Sequence, residues 1–270
     1  ETNTFNSTEI SQLDYGCEKF SYDLNLEGAK IARKAVDDFK EKNNQPKFVS
    51  GVLGPTNRTC SMSPDVNDPG FRNIDFDKLK KDYMVSVSGL IKGGVDLILI
   101  ETVFDTLNSK AALMAIFEIE KKFKIKIPVM ISVTITDLSG RTLSGQTLEA
   151  FYNSISHSLP ISVGLNCALG PKELEQYVVE LSRISESFLS VHSNAGLPNA
   201  FGEYDETPKM MADYAKKWAE NGYINIIGGC CGTTPEHIKV MKENVINLKP
   251  RKLIKKDKKF RLSGLEQFSI

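Results

Sequence analysis

Gly228-Gly229-Cys230-Cys231-Gly232 sets two adjacent thiols between glycines, after the apolar run Ile224-Asn225-Ile226-Ile227 and before Thr233-Thr234-Pro235, a composition that starts helices. Neighbouring side chains on an extended strand point to opposite sides, but flanking glycines permit positive φ, so the backbone can curl until both sulfurs face one point. A third thiol ends a second strand-like run in Gly164-Leu165-Asn166-Cys167. Three thiolates on two loops, with no CxxC pair, suit a catalytic zinc site better than a structural one, because a catalytic site keeps one coordination place for water or substrate. Three thiolates and Zn²⁺ sum to a charge of about −1, so a fourth sulfur bound there keeps high electron density while its proton is displaced. Such a centre makes an alkyl-accepting thiolate. Two other readings of these residues stand beside it: cysteines packed as small hydrophobes, and a redox-active vicinal disulfide. Cys17 and Cys60 lack any such surroundings and read as ordinary packing or exposed thiols.

The elements that must position these residues alternate. Apolar, β-rich runs cover 48–53, 95–102, 128–135, 161–167, 188–194 and 224–230, and amphipathic helical patterns cover 26–43, 76–92, 109–124, 148–157, 172–184, 208–221 and 235–245. Near-continuous runs such as Val95-Asp96-Leu97-Ile98-Leu99-Ile100 suit parallel strands buried on both faces and joined by helical crossovers. An open doubly wound sheet and a closed barrel both satisfy that pattern. Glu101, Asn166, Cys167, His192, Asn194, Cys230 and Cys231 cluster at strand ends, which favours an α/β fold of the (β/α)8 TIM-barrel type. Six strands are clear, and Glu1-Thr2-Asn3-Thr4-Phe5 reads as the end of a seventh, so the expectation is an N-terminally truncated barrel lacking its first strand and helix. Residues 1–248 form this partial barrel. The basic stretch from 249 to 270, with Lys255-Lys256-Asp257-Lys258-Lys259, reads as a solvated linker leaving it.

Composition narrows the partners. The 270 residues carry 34 basic and 34 acidic side chains, so the chain lacks the cationic excess that grips nucleic acid or anionic lipid, and neither is an expected partner. No apolar run reaches the roughly 20 residues needed to span a bilayer, and the first residues lack the pattern of a signal peptide. Five cysteines in a chain with ample core argue against a disulfide-stapled secreted domain and for a reduced, cytoplasmic compartment.

The two cysteine signatures together resemble those of the zinc-dependent homocysteine S-methyltransferases. Further stretches are similar to the N-terminal homocysteine-binding module of cobalamin-dependent methionine synthase: Gly51-Val52-Leu53-Gly54-Pro55-Thr56-Asn57-Arg58-Thr59, Ile100-Glu101-Thr102-Val103-Phe104-Asp105-Thr106-Leu107-Asn108, Ser139-Gly140-Arg141-Thr142-Leu143-Ser144-Gly145-Gln146, and Asn194-Ala195-Gly196-Leu197-Pro198-Asn199-Ala200-Phe201-Gly202-Glu203-Tyr204. That resemblance implies zinc held by Cys167, Cys230 and Cys231, with the Asn194 oxygen as an exchangeable fourth ligand that L-homocysteine displaces. It implies a methyl group delivered by methylcobalamin, ultimately from 5-methyltetrahydrofolate, and giving methionine. It also implies that folate-binding and cobalamin-binding modules of the same enzyme are the partners. Ser263-Gly264-Leu265-Glu266 resembles the entry to the folate module. The family's Asp-Gly-rich first strand and its cobalamin-binding Asp-x-His-x-x-Gly pattern are absent, so the chain resembles a substrate module that does not complete the transfer from folate alone.

Other residues take roles beside blander readings. Glu101 is implied to anchor the homocysteine ammonium, a charge-assisted contact worth about 1.5 to 3 kcal/mol, against a rim salt bridge. Asn3, Thr4 and Phe5 flank the substrate's carbon chain. Asn166 orients the neighbouring ligand through a hydrogen bond or satisfies a loop backbone. His192 shares a strand face with Asn194 and reads as a hydrogen-bonded core histidine. His157 and His237 take no role, Arg58 and Arg141 default to surface pairing, and the loop 136–146 reads as a rim turn or lid. Two rivals remain: a betaine- or S-methylmethionine-dependent homocysteine methyltransferase, and a non-catalytic module with structural zinc.

Overall fold

The computed structural model describes residues 1–40, 45–136, 139–255 and 259–270. They form two compact units, Glu1–Met130 and Ile131–Ile270.

The first unit contains α1 (Glu9–Leu13), a 3-10 turn at Glu18–Phe20, α2 (Ser21–Lys40), β1 (Ser50–Leu53), α3 (Phe76–Gly93), β2 (Leu97–Val103) and α4 (Thr106–Phe123). β1 and β2 pair in parallel, Ser50 beside Leu97 and Leu53 beside Ile100, as their apolar runs demand. α3 packs against both α2 and α4. It begins at the Asp75 cap, whose carboxylate accepts the Lys78 N–H at 2.8 Å, and ends at Gly94 with φ 92°. α4 begins at Asp105, which accepts from Leu107 N–H at 2.9 Å. Of the helix expected at 26–43, residues 41–43 lie outside the described residues, and α2 starts five residues earlier than expected.

Residues 1–5 are not the expected strand. They run beside β1, where Thr2 N–H donates to Ser50 O at 2.9 Å, but from there threonine hydroxyls replace the backbone ladder. Thr2 Oγ1 accepts from Val52 N–H at 2.9 Å, and Thr4 Oγ1 donates to Val52 O at 2.8 Å. The chain then turns into α1, capped by Thr8 and by the Asp82 carboxylate of α3, which accepts from Glu9 N–H at 2.7 Å and Ile10 N–H at 3.1 Å.

β3 (Val129–Val133) carries the chain from one unit into the other. Strand and helix then alternate: α5 (Leu148–Ile155), β4 (Ser162–Asn166), α6 (Pro171–Ile184), β5 (Phe188–Ser193), α7 (Pro208–Glu220), β6 (Ile226–Gly229) and α8 (Pro235–Val245). β5 pairs in parallel with β4 on one side, Asn166 beside His192, and with β6 on the other, His192 beside Gly228. Val163, Leu165, Leu189 and Val191 are fully buried on these strands, and Ala195, Met211, Ala212, Ala215 and Met241 form an apolar cluster beneath α7 and α8. This parallel, alternating order is the α/β class expected from the sequence.

From 249 the described residues pack on the second unit. Arg251, 4% exposed, donates Nε and Nη2 to Ser182 O at 3.1 and 2.8 Å and Nη1 to Ser187 O at 3.1 Å, placing a cation at the C-terminal end of α6. An antiparallel hairpin, β7 (Arg261–Ser263) and β8 (Gln267–Ser269), lies on α5. Thr147 N–H donates to Leu265 O and Gln146 Nε2 to Gly264 O, each at 2.9 Å. Residues 137–138 of the expected rim loop and 256–258 of the basic run lie outside the described residues. Among the described residues no helix is long and apolar enough to cross a membrane.

Candidate metal centre

The second unit brings the three cysteines together. Cys167 follows β4 and the Cys230–Cys231 pair follows β6, so both loops leave from the C-terminal ends of strands that flank β5. The end of β5 is their frame: Cys167 N–H donates to His192 O at 3.1 Å, Cys230 N–H to Ser193 O at 2.8 Å, and Ala195 N–H to Cys231 O at 2.9 Å. Cys231 Sγ lies 3.8 Å from Cys167 Sγ and 3.9 Å from Cys230 Sγ, and the three sulfurs are all within 4.8 Å of one another. Tetrahedral zinc with Zn–S bonds of about 2.3 Å sets its sulfurs about 3.8 Å apart, which the two separations from Cys231 match. Among the described residues no other group of three His, Cys, Asp or Glu side chains converges in this way.

Local backbone makes this convergence possible. Cys167 and Ala168 both adopt left-handed conformations, φ 60° and 56°, which turn the chain sharply off β4 at a cost of roughly 1–2 kcal/mol per residue. On β6, Gly228 leaves room for the His192 ring: a Cβ there would sit 2.6 Å from His192 Cδ2. Gly232, with φ 76°, lets the second loop close.

The cluster takes one negative charge readily and resists the next. Hydrogen bonding from Cys230 draws the Cys167 pKa down to about 6 against the effect of its burial, with the Ala168 N–H, the Cys231 thiol and the Asn194 amide adding to the shift. Burial, and then the charge on Cys167, push Cys231 upward. A divalent cation removes that conflict. Cys60, by contrast, is buried near the Asp105 and Asp75 carboxylates, and burial first and those charges second raise it to about 11, which keeps it a thiol. Cys17 stands apart in the first unit, its thiol donating to Tyr15 O at 3.5 Å.

Asn194 is 2% exposed, and its Oδ1 accepts from Cys231 N–H at 3.1 Å, placing the side chain against two of the three cysteines. Asn166 is buried at the end of β4, and His192 is buried between Asn166 and Gly228 on the neighbouring strands. His237 caps α8 through Nδ1, and its Nε2 meets Glu206 O at 2.9 Å. Arg141 pairs with Glu266, and Nη1 donates to Gly145 O at 2.8 Å.

The remaining expected site residues belong to the first unit. Glu101 is half-buried near the end of β2, in a small hollow with Gly54, Pro55, Tyr83 and Phe104, and the next residue, Thr102, is left-handed at φ 55°. A β-branched residue in that conformation is strained. Thr4 is buried with its hydroxyl committed to β1, Phe5 is 42% exposed and packs on Gly54, and Asn3 is exposed beside an open groove along α2. Two residues beside the three cysteines were given no role from the sequence. Ala168 shares the left-handed turn, and Tyr204 seats its ring on Gly232; the only signal for Tyr204 was its place closing the Asn194-to-Tyr204 stretch.

The chain is thus an α/β protein that gathers three thiols at the C-terminal ends of the parallel strands β4 and β6. The model of the homocysteine S-methyltransferase family matches residues 1–245, and the chain belongs to that family of methyltransferases. Its fold is similar to that of the homocysteine methyltransferase MmuM from Escherichia coli. Against the metallated form the identity is 22%, with 90% of this chain and 77% of that one covered at a TM-score of 0.68. Against the oxidized form the identity is 20% over the same shares, at 0.69, and against the apo form 22% over 83% and 74%, at 0.64. At such identities the likeness speaks for the fold.

Proposed function

We propose that the chain binds L-homocysteine and makes its sulfur a methyl acceptor at a zinc ion held by Cys167, Cys230 and Cys231, giving methionine. The observation that carries this reading is the spacing of the three sulfurs, which leaves a tetrahedral ion one open place. Bound zinc supplies the positive charge that keeps a thiol deprotonated at neutral pH, where a free thiol of pKa about 8.5 is only a few per cent thiolate. Asn194, already against the cluster, offers an oxygen to that open place until substrate arrives. Asn166 steadies the Cys167 turn, and the family resemblance puts forward Glu101, for the substrate ammonium, and Asn3, Thr4 and Phe5 as the substrate-binding residues of the first unit. In the transfer the bond between sulfur and the methyl carbon forms, the bond between methyl and its carrier breaks, and the thiol proton is lost to solvent.

For the donor, the stretches at 51–59, 139–146, 194–204 and 263–266 support methylcobalamin charged from 5-methyltetrahydrofolate, carried by folate- and cobalamin-binding modules of a methionine synthase. On that reading 1–248 is the substrate module and 249–270 leads toward the folate module. The fold likeness to MmuM supports a second reading, with betaine or S-methylmethionine as donor. Five free thiols fit a reducing compartment such as the cytoplasm. The test is methionine formation by the zinc-loaded chain with each donor in turn. Methylcobalamin alone supporting turnover is the expected result; turnover with a sulfonium or betaine donor instead assigns the second reading, and no methionine from any donor overturns both.

A further inference from the structure

Thr102 follows Glu101 directly and still lies within β2, yet its φ is 55°. Left-handed backbone is disfavoured for any L-residue and more so for a β-branched one. Among the described residues four other non-glycines share that conformation, and each has an evident reason. Lys124 and Leu159 end helical segments, where a left-handed cap is ordinary, and Cys167 with Ala168 makes the turn that carries a cysteine off β4. Thr102 has neither reason, and strain of this kind gathers at working sites.

The surroundings of Thr102 hold it from both sides. Before it, Ile100 pairs with Leu53 of β1. Beyond it, Asp105 accepts from Leu107 N–H at 2.9 Å, from Ser61 N–H at 3.0 Å and from Ser61 Oγ at 2.6 Å. Asn108 adds two more ties to the loop that leaves β1, its Oδ1 accepting from Cys60 N–H and its Nδ2 donating to Arg58 O, each at 2.9 Å. Both side chains are buried, so these ties are sheltered from water. Between the two anchored stretches stands Glu101, half-buried in the hollow with Gly54, Pro55, Tyr83 and Phe104.

We propose that Thr102 is a positioning residue for the substrate: its left-handed backbone, fixed at both ends, sets the direction in which β2 presents the Glu101 carboxylate. The assignment rests on reading Glu101 as the anchor of the homocysteine ammonium. A branched side chain confines the left-handed region to a small range of φ and ψ, whereas glycine spreads over far more. Thr102 thus exchanges some stability for a fixed aim.

The ammonium contact is read by titrating the zinc-loaded chain calorimetrically with L-homocysteine and with 4-mercaptobutanoate, the same thiol acid without the amino group. Wild type should prefer homocysteine about 10- to 100-fold. Thr102→Gly should bind homocysteine about 10-fold more weakly and 4-mercaptobutanoate as before. Thr102→Asn, which places at the turn a residue that adopts left-handed backbone readily, should keep the wild-type preference. A Gly variant with the wild-type preference overturns the assignment. One that melts far below the wild type and loses both thiols alike makes Thr102 a fold element and overturns it equally. An Asn variant that loses the preference lays the effect on the threonine side chain and overturns the backbone account. A wild-type chain that binds the two thiols equally, or neither, overturns the reading of Glu101 first, and the role of Thr102 with it.

Discussion

Cys167 shows how much local geometry is spent on bringing three sulfurs together. Two successive left-handed residues, Cys167 and Ala168, are held in place because the N–H of one is bound to His192 O and the chain returns at once through Leu169, whose carbonyl accepts from Asn194 N–H at 3.2 Å. With Cys167 drawn down to about 6, acidification protonates it only below that value, while Cys231, pushed upward, needs the metal to lose its proton. Metal affinity should therefore fall as pH is lowered and fall more steeply below about pH 6, because ligands must shed protons to bind. Zn²⁺ titrations between pH 5 and 8 check this, and an affinity independent of pH would speak against thiolate ligation. Gly164 shows the packing behind the turn. A Cβ there would lie 2.1 Å from Ser190 Oγ and 2.2 Å from Ser190 O, the second a backbone atom that cannot swing away. Gly164→Ala should cost about 3 kcal/mol in denaturant unfolding, whereas Gly264→Ala, with nothing within 4 Å, should stay within about 0.5 kcal/mol.

At the scale of elements, the six strands β1 to β6 and seven of the helices were legible because each has an apolar period long enough to read. α8 lies at 235–245 as expected, its start marked by Thr234 and Pro235. What escaped was short or held from a distance. α1 has five residues, too few for a period, and its start depends on Asp82, more than seventy residues away. The hairpin of β7 and β8 has three residues a strand and carries no turn signal stronger than Ser263-Gly264. Burial raises Asp82 to about 6, even though the Ile10 and Glu9 N–H groups pull it down. A carboxyl whose folded pKa lies above its unfolded value of about 3.9 contributes stability that is complete below pH 4 and lost as pH rises through 6, because the folded state then holds the extra proton. Wild type should therefore gain up to about 3 kcal/mol relative to Asp82→Asn between pH 7 and pH 4, read from urea unfolding at each pH. A difference that does not change with pH would remove Asp82 as the source.

For the whole molecule, the sequence resemblance reached the family, which the match over 1–245 shows, and the α/β class with its parallel strands, in a fold similar to that of the solved homocysteine methyltransferases. The convergence of Cys167, Cys230 and Cys231 was legible because glycines beside paired thiols at strand ends have few other uses. Tyr204 was not legible, because its seat on Gly232 depends on a hairpin closed by Asn199, Glu203 and Glu206 rather than on any local pattern. The central claim is that three sulfurs hold one zinc ion with one place open to the substrate sulfur. X-ray absorption at the zinc edge, on the zinc-loaded chain with and without L-homocysteine, tests it most directly. The account predicts three sulfurs and one oxygen or nitrogen neighbour without substrate, and four sulfurs with it. A shell that homocysteine leaves unchanged, or a wild-type chain that holds no more zinc than Cys230→Ser, would contradict it.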